Sequence, residues 1–116
     1  MAYNQQLADR VRQRMIEMAD ADHLEEKEMM GGLCIMYHDK MCVGILKDEL
    51  MCRIAPEVFE QCLAMPGCHT LTFTGRVSKG FVLVEDTVLK KQKDLDYWLL
   101  LCIDFNPRAK SSKKKK

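Results

Sequence analysis

The chain has 116 residues, of which 47% are hydrophobic and 30% charged, and its formal net charge is +1. This length suits one folded domain with its own core, and no apolar run approaches the roughly 20 residues of a membrane-spanning helix. The first residues lack the apolar stretch of a secretion signal, so we expect a cytoplasmic protein.

The positive charges are concentrated at the C-terminal end. Residues 108–116 carry six basic side chains and no acidic one, whereas the other residues carry 12 basic and 17 acidic side chains. An acidic body is unlike a folded surface that grips nucleic acid. We therefore predict a folded domain over residues 1–107 and a disordered, lysine-rich tail over residues 108–116. Any DNA contact is expected to be weak, nonspecific and made by this tail.

The N-terminal half predicts one helix followed by a small sheet. Apolar residues recur at helical spacing between Asn4, which can cap a helix, and Ala19. The acidic segment 20–28 is interpreted as a polar connection. Short apolar runs with polar turns between them then predict an antiparallel meander. Its strands are expected at residues 33–37, 41–46 and 50–54.

The C-terminal half predicts two more helices and two more strands. Pro56 suits the first turn of a helix, Asp94 is a suitable cap for the last helix, and Trp98 on that helix is expected to be a core residue. These elements are predicted at residues 56–65 (helix), 70–73 and 81–84 (strands) and 94–105 (helix).

The predicted fold class is α+β with two layers. Its order is helix–three-stranded meander–helix–two strands–helix, with a single antiparallel sheet covered by helices. One layer of helices leaves the other face of the sheet without a cover. Because two-fold pairing is the commonest way to cover such a face, we expect a homodimer.

All six cysteines are expected to be reduced thiols. Nothing indicates secretion, and most of them lie in apolar runs, where a cysteine packs as a small hydrophobic residue. A turn at His38-Asp39 places Cys34 opposite Val43. In that register Cys42 points to the other face of the sheet, which is unsuitable for a disulfide bond with Cys34.

The segment from Thr74 to Gly80 is the best candidate for a binding site. It combines glycines with Arg76 and Lys79, which suits either an anion or an ordinary solvent-facing turn. Gly31-Gly32 offers bare backbone to a ligand or to a packed neighbour, and Arg53 is a charge in an apolar strand that faces solvent or pairs with an acid. The candidate anion-binding residues are Gly31, Gly32, Arg53, Gly75, Arg76 and Lys79.

No motif predicts catalysis, a metal site or a cofactor. The closest clusters, Cys62 with Cys68-His69 and Cys34 with His38, lack the paired cysteine spacing of structural zinc sites. A thiol nucleophile at Cys68 stays open because His69 follows it, but neighbours in sequence are not the spatial pair that activates a thiol.

Several short motifs share one order and spacing with a known family. They are Met30-Gly31-Gly32-Leu33, Lys40-Met41-Cys42-Val43-Gly44, Leu50-Met51-Cys52-Arg53-Ile54, Phe73-Thr74-Gly75-Arg76 with Lys79-Gly80-Phe81, and Trp98 in the last helix. Over about residues 3–105 the chain resembles the TfoX/Sxy N-terminal domain family. This resemblance implies the same two-layer α+β fold.

The resemblance also implies a function. The family takes its name from regulators of natural competence, which act with the cyclic-AMP receptor protein at promoters rather than as enzymes. Those regulators carry a second, C-terminal helical domain, and we expect the present chain to be a stand-alone N-terminal domain. The implied function is a non-enzymatic protein-interaction module in transcriptional, competence-type regulation. The alternative is a small anion- or ligand-binding protein, or an enzyme, that uses the glycine and arginine residues above.

Overall fold

The computed structural model describes residues 3–29, 31–73 and 76–109, without the side chains of Met29 and residues 72–79. The described part contains three α-helices and six strands, joined by short turns. The helices are α1 (Gln5–Met18), α2 (Phe59–Leu63) and α3 (Gln92–Phe105). The strands are β1 (Leu24–Met29), β2 (Gly32–Tyr37), β3 (Lys40–Leu46), β4 (Glu49–Arg53), β5 (Cys68–Phe73) and β6 (Arg76–Glu85).

The strands form one antiparallel sheet in the order β1-β2-β3-β4-β6-β5. The predicted α+β fold class is therefore confirmed, as are the turns of the meander. Tyr37 pairs with Lys40 across His38-Asp39, where both turn residues have positive φ. Two consecutive residues with positive φ are typical of the tight hairpin turns that match the twist of a sheet.

The prediction of a polar connection over residues 20–28 is wrong, because most of this segment belongs to strand β1. The backbone of Leu24–Met29 pairs with β2 along its whole length. Glu25, Glu26 and Lys27 are exposed, so no apolar alternation marks this strand. A charged sequence is physically reasonable here, since charges on an edge strand discourage pairing with other chains.

The segment predicted as a loop over residues 74–80 is also largely a strand. β6 begins at Arg76 and continues through Gly80 and Phe81 to Glu85, while Thr74 and Gly75 lie outside the described residues. The backbone of β6 pairs with β5 on one side and with β4 on the other. β4 pairs only with Phe81–Glu85, whereas Arg76 and Val77 pair with β5. Pairing with one neighbouring strand therefore outweighs the polar and glycine residues that suggested a loop.

Helices α2 and α3 begin at positions other than those predicted. Pro56 opens a single 3-10 turn that leads directly into a short α2, so the predicted helix over residues 56–65 is present as a 3-10 turn followed by an α-helix that ends at Leu63. α3 starts after Lys91, which gives no side-chain cap, and Asp94 lies within its first turn. A carboxylate there still favours the helix, because it faces the positive end of the helix dipole.

The main core lies between the helices and one face of the sheet. The buried helix residues in this core are Leu7, Ala8, Val11, Met15, Phe59, Cys62, Leu95, Trp98, Leu99 and Cys102. α1 and α3 lie side by side and are joined by an ion pair from Arg14 to Asp96, with Nε–Oδ1 at 2.8 Å. Trp98 is only 3% exposed, which confirms its assignment to the core.

Tyr37 connects three distant parts of the chain. Its backbone carbonyl accepts a hydrogen bond from the buried Asn106 side chain, and its hydroxyl accepts one from the backbone N–H of Asp20.

The first residues of the predicted tail contact the folded domain. Arg108 forms an ion pair with Glu57 and lowers the pKa of that carboxyl group. Ala109 is buried. Two residues that we assigned to the tail therefore pack on the fold, whereas residues 110–116 lie outside the described part.

The six cysteines are all free and buried. Cys34 was predicted to lie opposite Val43, but it pairs with Gly44. The difference arises because Cys42 is an extra residue in a β-bulge. The two thiols nevertheless belong to clusters on opposite faces of the sheet. Burial raises the pKa of each of five thiols, and raises that of Cys68 to about 11. The five are Cys34, Cys42, Cys62, Cys68 and Cys102.

The buried thiols are expected to be unreactive until the protein unfolds. A thiol reagent at neutral pH should label no cysteine rapidly in the folded protein and six in denaturant without reductant, since the thiolate is the reactive form. A count of four or fewer in denaturant for freshly purified protein would contradict free thiols. Rapid labelling of the folded protein would contradict their burial.

The same burial predicts that stability falls in alkali. Unfolded thiols ionise near pH 8.5, whereas folded Cys68 keeps its proton until about pH 11. Above the lower value the unfolded state loses protons first, so the free energy of unfolding decreases as pH rises. Urea midpoints between pH 8 and 10.5 measure this slope, which should be shallower in Cys68→Ala.

Candidate functional site

The face of the sheet opposite the helices has a second apolar cluster. Cys34, Met51 and Leu71 are almost fully buried there, and partly exposed apolar side chains surround them. The surrounding residues are Met41, Leu46, Phe81 and Leu83. Every described residue of this cluster belongs to a strand. We call this surface the helix-free face.

Arg53 lies on the helix-free face, in the same alternation as Met51. Its Nη1 donates a hydrogen bond of 3.2 Å to the carbonyl oxygen of Met41, and its guanidinium lies 5.6 Å from the ring centroid of Phe81. Burial lowers the pKa of this side chain. The guanidinium is thus held by a carbonyl and an aromatic ring, rather than by the carboxylate that the sequence suggested as an alternative.

The glycine pair lies away from Arg53. Arg53 contacts the carbonyl of Met41, and Met41 pairs with Met36 on β2. Gly32 lies four residues before Met36 on the same strand. Four residues of strand span about 13 Å. A Cβ on Gly32 would stand 2.3 Å from the carbonyl oxygen of Ile45, so close backbone packing accounts for this glycine. The structure does not bring Gly31-Gly32 and Arg53 together.

Of the remaining candidate anion-binding residues, Arg76 and Lys79 lie in the first half of β6. Arg76 pairs through its backbone with Phe73, and it lies five residues, or about 16 Å of strand, before Phe81. Gly75 lies outside the described residues, as do the side chains of Arg76 and Lys79. An anion site that involves them stays a prediction.

Cys68 and His69 point in opposite directions, as consecutive residues of a strand do. Cys68 packs in the main core, where burial raises its pKa. His69 is half-exposed on the helix-free face. Because the imidazole does not contact the thiol, this pair lacks the arrangement that activates a nucleophile.

His69 instead joins two glutamates that the sequence did not single out. Its Nε2 lies 2.5 Å from Oε2 of Glu85 and 3.8 Å from Oε2 of Glu49. The two glutamates pair directly across β4 and β6. We call these three residues the Glu–His–Glu cluster. One ligand atom from each lies within 4.8 Å of the other two.

Comparison with known proteins adds one finding. The sequence model of the TfoX N-terminal domain family matches residues 17–106, which is most of the chain. The chain belongs to the TfoX N-terminal domain family. Comparison with curated proteins gives no match, and comparison with solved structures gives none either.

The matched part of this TfoX domain contains all six strands together with α2 and α3. Most of α1 precedes the match. The Glu–His–Glu cluster, Arg53 and the helix-free face therefore lie within the family region. Among the described residues of the TfoX domain, no helix is both long enough and apolar enough to span a membrane.

Proposed function

We propose that this TfoX domain is a non-enzymatic protein-interaction module that pairs with a second copy of itself through the helix-free face. In the cell the module would serve transcriptional regulation of the competence type. The proposal rests on the apolar cluster on that face. Among the described residues, every member of this cluster belongs to a strand. The family membership supports the regulatory context.

The helix-free face has the composition of a contact surface. Met41, Phe81 and Leu83 are partly exposed there around a buried centre. Contiguous apolar surface of this kind marks a site of association in soluble proteins. Methionine side chains adapt their shape to a partner, and two sheets can pack face to face about 10 Å apart.

Arg53 is compatible with burial under a second copy. Its guanidinium already donates to the carbonyl of Met41 and lies over the ring of Phe81. A charge that has internal partners costs less to cover than an unpaired one. A two-fold axis lets the same surface act on both sides of the interface, so a second copy fits without a further specialised partner.

A charge placed on the helix-free face tests the proposal. We expect the wild-type protein to show twice the chain mass of 13.4 kDa by light scattering at micromolar concentration. Leu83→Glu should give the monomer mass, because moving a carboxylate from water into an apolar interface carries a large desolvation cost. The matched control is Leu100→Glu on the outer side of α3, where Leu100 is 50% exposed. That variant should keep the dimer mass.

Two outcomes would contradict this assignment. A wild-type protein that is monomeric at micromolar concentration would exclude pairing of functional strength. A dimer that both variants disrupt, or that only Leu100→Glu disrupts, would place the interface on another surface. Circular dichroism of both variants separates a lost interface from a lost fold.

Contact with nucleic acid is assigned to the tail in this proposal. The lysines of residues 110–116 can neutralise phosphates without reading bases. The folded part carries more acidic than basic side chains, so it is not proposed to read DNA sequence. Regulation would then act through protein contacts.

A further inference from the structure

We propose that Glu49, His69 and Glu85 bind a divalent transition-metal ion, for which Zn²⁺ is the natural probe. The residues come from β4, β5 and β6, three adjacent strands of one sheet. The proposal rests on the geometry of one protomer, so it does not depend on the pairing proposed above.

The three side chains converge because of the strand register. Glu49 pairs with Glu85, and Leu83, two residues before Glu85, pairs with His69. Side chains at paired positions and at positions two apart share a face of a sheet. The backbone that carries the donors is hydrogen-bonded, so little chain order has to be gained when an ion binds.

Two carboxylates directly opposite each other on neighbouring strands repel unless a cation lies between them. Among the described side chains, neither glutamate forms an ion pair with a lysine or an arginine. Glu49 and Glu85 both approach the same nitrogen of His69, and Thr87 donates to the other oxygen of Glu85. A divalent ion would satisfy both carboxylates at once.

The donor set indicates the class of ion. One imidazole nitrogen with two carboxylate oxygens suits borderline ions such as Zn²⁺ better than the purely oxygen-seeking Mg²⁺ and Ca²⁺. Zinc ligands lie about 2.0–2.2 Å from the ion, which puts tetrahedral ligand atoms about 3.3 Å apart. The observed separations of 2.5 and 3.8 Å from Nε2 bracket that value. Each of these two separations is within about 1 Å of the tetrahedral value, and the two glutamate oxygens lie within 4.8 Å of each other.

The surroundings leave room for an ion and a further ligand. An open cleft of about 570 Å³ adjoins the cluster, and both glutamates line it. Asp48, Asp86 and Lys47 line the same cleft without taking part in the cluster, and Asp86 is paired with Lys90 at 3.0 Å. Three protein donors leave one tetrahedral position for water or for a group on a partner.

Zinc binding can be measured directly on the full chain. Chelator-treated protein should bind one Zn²⁺ per chain in isothermal titration calorimetry, and Zn²⁺ should raise the melting temperature, since the ion binds the folded site. Glu49→Gln and His69→Ala should each weaken binding by about tenfold or more and abolish the thermal shift. His23→Ala is the matched control, because His23 is exposed and lies outside the cluster. That variant should bind as the wild type does.

Cobalt distinguishes this site from the cysteines. Co²⁺ bound by nitrogen and oxygen donors should give visible bands without the intense near-ultraviolet absorption of a cobalt–thiolate bond. Thiolate absorption at one equivalent would overturn the proposal. So would wild-type affinity in both cluster variants, or no binding at millimolar Zn²⁺. The variants alter side chains that are partly or fully exposed, so circular dichroism is expected to show an intact fold.

Discussion

Replacement of Trp98 by alanine is expected to lower the free energy of unfolding by about 3–5 kcal/mol, the usual cost of removing a large buried aromatic side chain. Trp98 is 3% exposed, and its ring meets that of Tyr97 edge-on at 5.4 Å. It packs with Leu95, Leu99 and Cys102 in the main core. A loss of this size is a large part of the roughly 5–15 kcal/mol that holds a typical domain together.

Urea unfolding of Trp98→Ala measures this loss. Leu100→Ala is the matched control on the same helix, because Leu100 is half-exposed and its truncation should change stability by about 0.5 kcal/mol or less. An unchanged midpoint for Trp98→Ala would mean that the indole contributes little to the core. A binding defect without a change in stability would assign Trp98 to a ligand site.

Gly32→Ala is expected to destabilise the protein by about 3 kcal/mol or more, at the upper end of overpacking effects. The new Cβ would lie 2.3 Å from the carbonyl oxygen of Ile45 and 2.6 Å from a methyl group of Leu46. The Leu46 side chain can move aside, but the Ile45 carbonyl belongs to β3. Strands β2 and β3 would therefore have to separate.

Gly31→Ala is the informative comparison. Gly31 has φ of +74°, but no atom lies within 4 Å of the position that an alanine methyl group would take. Its substitution therefore costs only the backbone strain of about 1–2 kcal/mol. Thermal melts of the two variants should rank Gly32→Ala well below Gly31→Ala. Equal melting temperatures would show that close packing does not explain Gly32.

The elements that sequence analysis predicted well have a clear apolar pattern. Helices α1 and α3 bury one side each, so helical spacing shows them. Strands β2 to β4 are buried on both faces over most of their length, so short continuous apolar runs show them. β1 was missed because Glu25, Glu26 and Lys27 face solvent at the sheet edge. The start of β6 was missed because it is paired with β5 through the backbone of Arg76 and Val77, and backbone pairing leaves no periodic pattern in the sequence.

The Glu–His–Glu cluster could not be predicted from sequence spacing. Glu49, His69 and Glu85 are far apart in the chain, and only the β4–β6 and β5–β6 pairings bring them together. Their sequence signals are ordinary: a turn residue, the neighbour of a cysteine, and the last residue of a strand. The distance between Arg53 and Gly32 has a related cause, since Gly32 lies about 13 Å of strand from Met36, the partner of the Met41 that Arg53 contacts.

The strand order has a consequence for how the chain folds. β1 to β4 are successive hairpins, and β5 with β6 forms another, so these pairings close short loops and can form within microseconds. The contact between β4 and β6 instead joins residues 28 to 36 positions apart. We infer that the β4–β6 pair forms last and limits the folding rate, because the entropy cost of closing a long loop comes before any contact between the two strands is gained. Glu49 and Glu85 lie opposite each other in the β4–β6 pair. An ion bound by both residues would therefore link β1–β4 to the β5–β6 hairpin once they have paired, and would slow their separation.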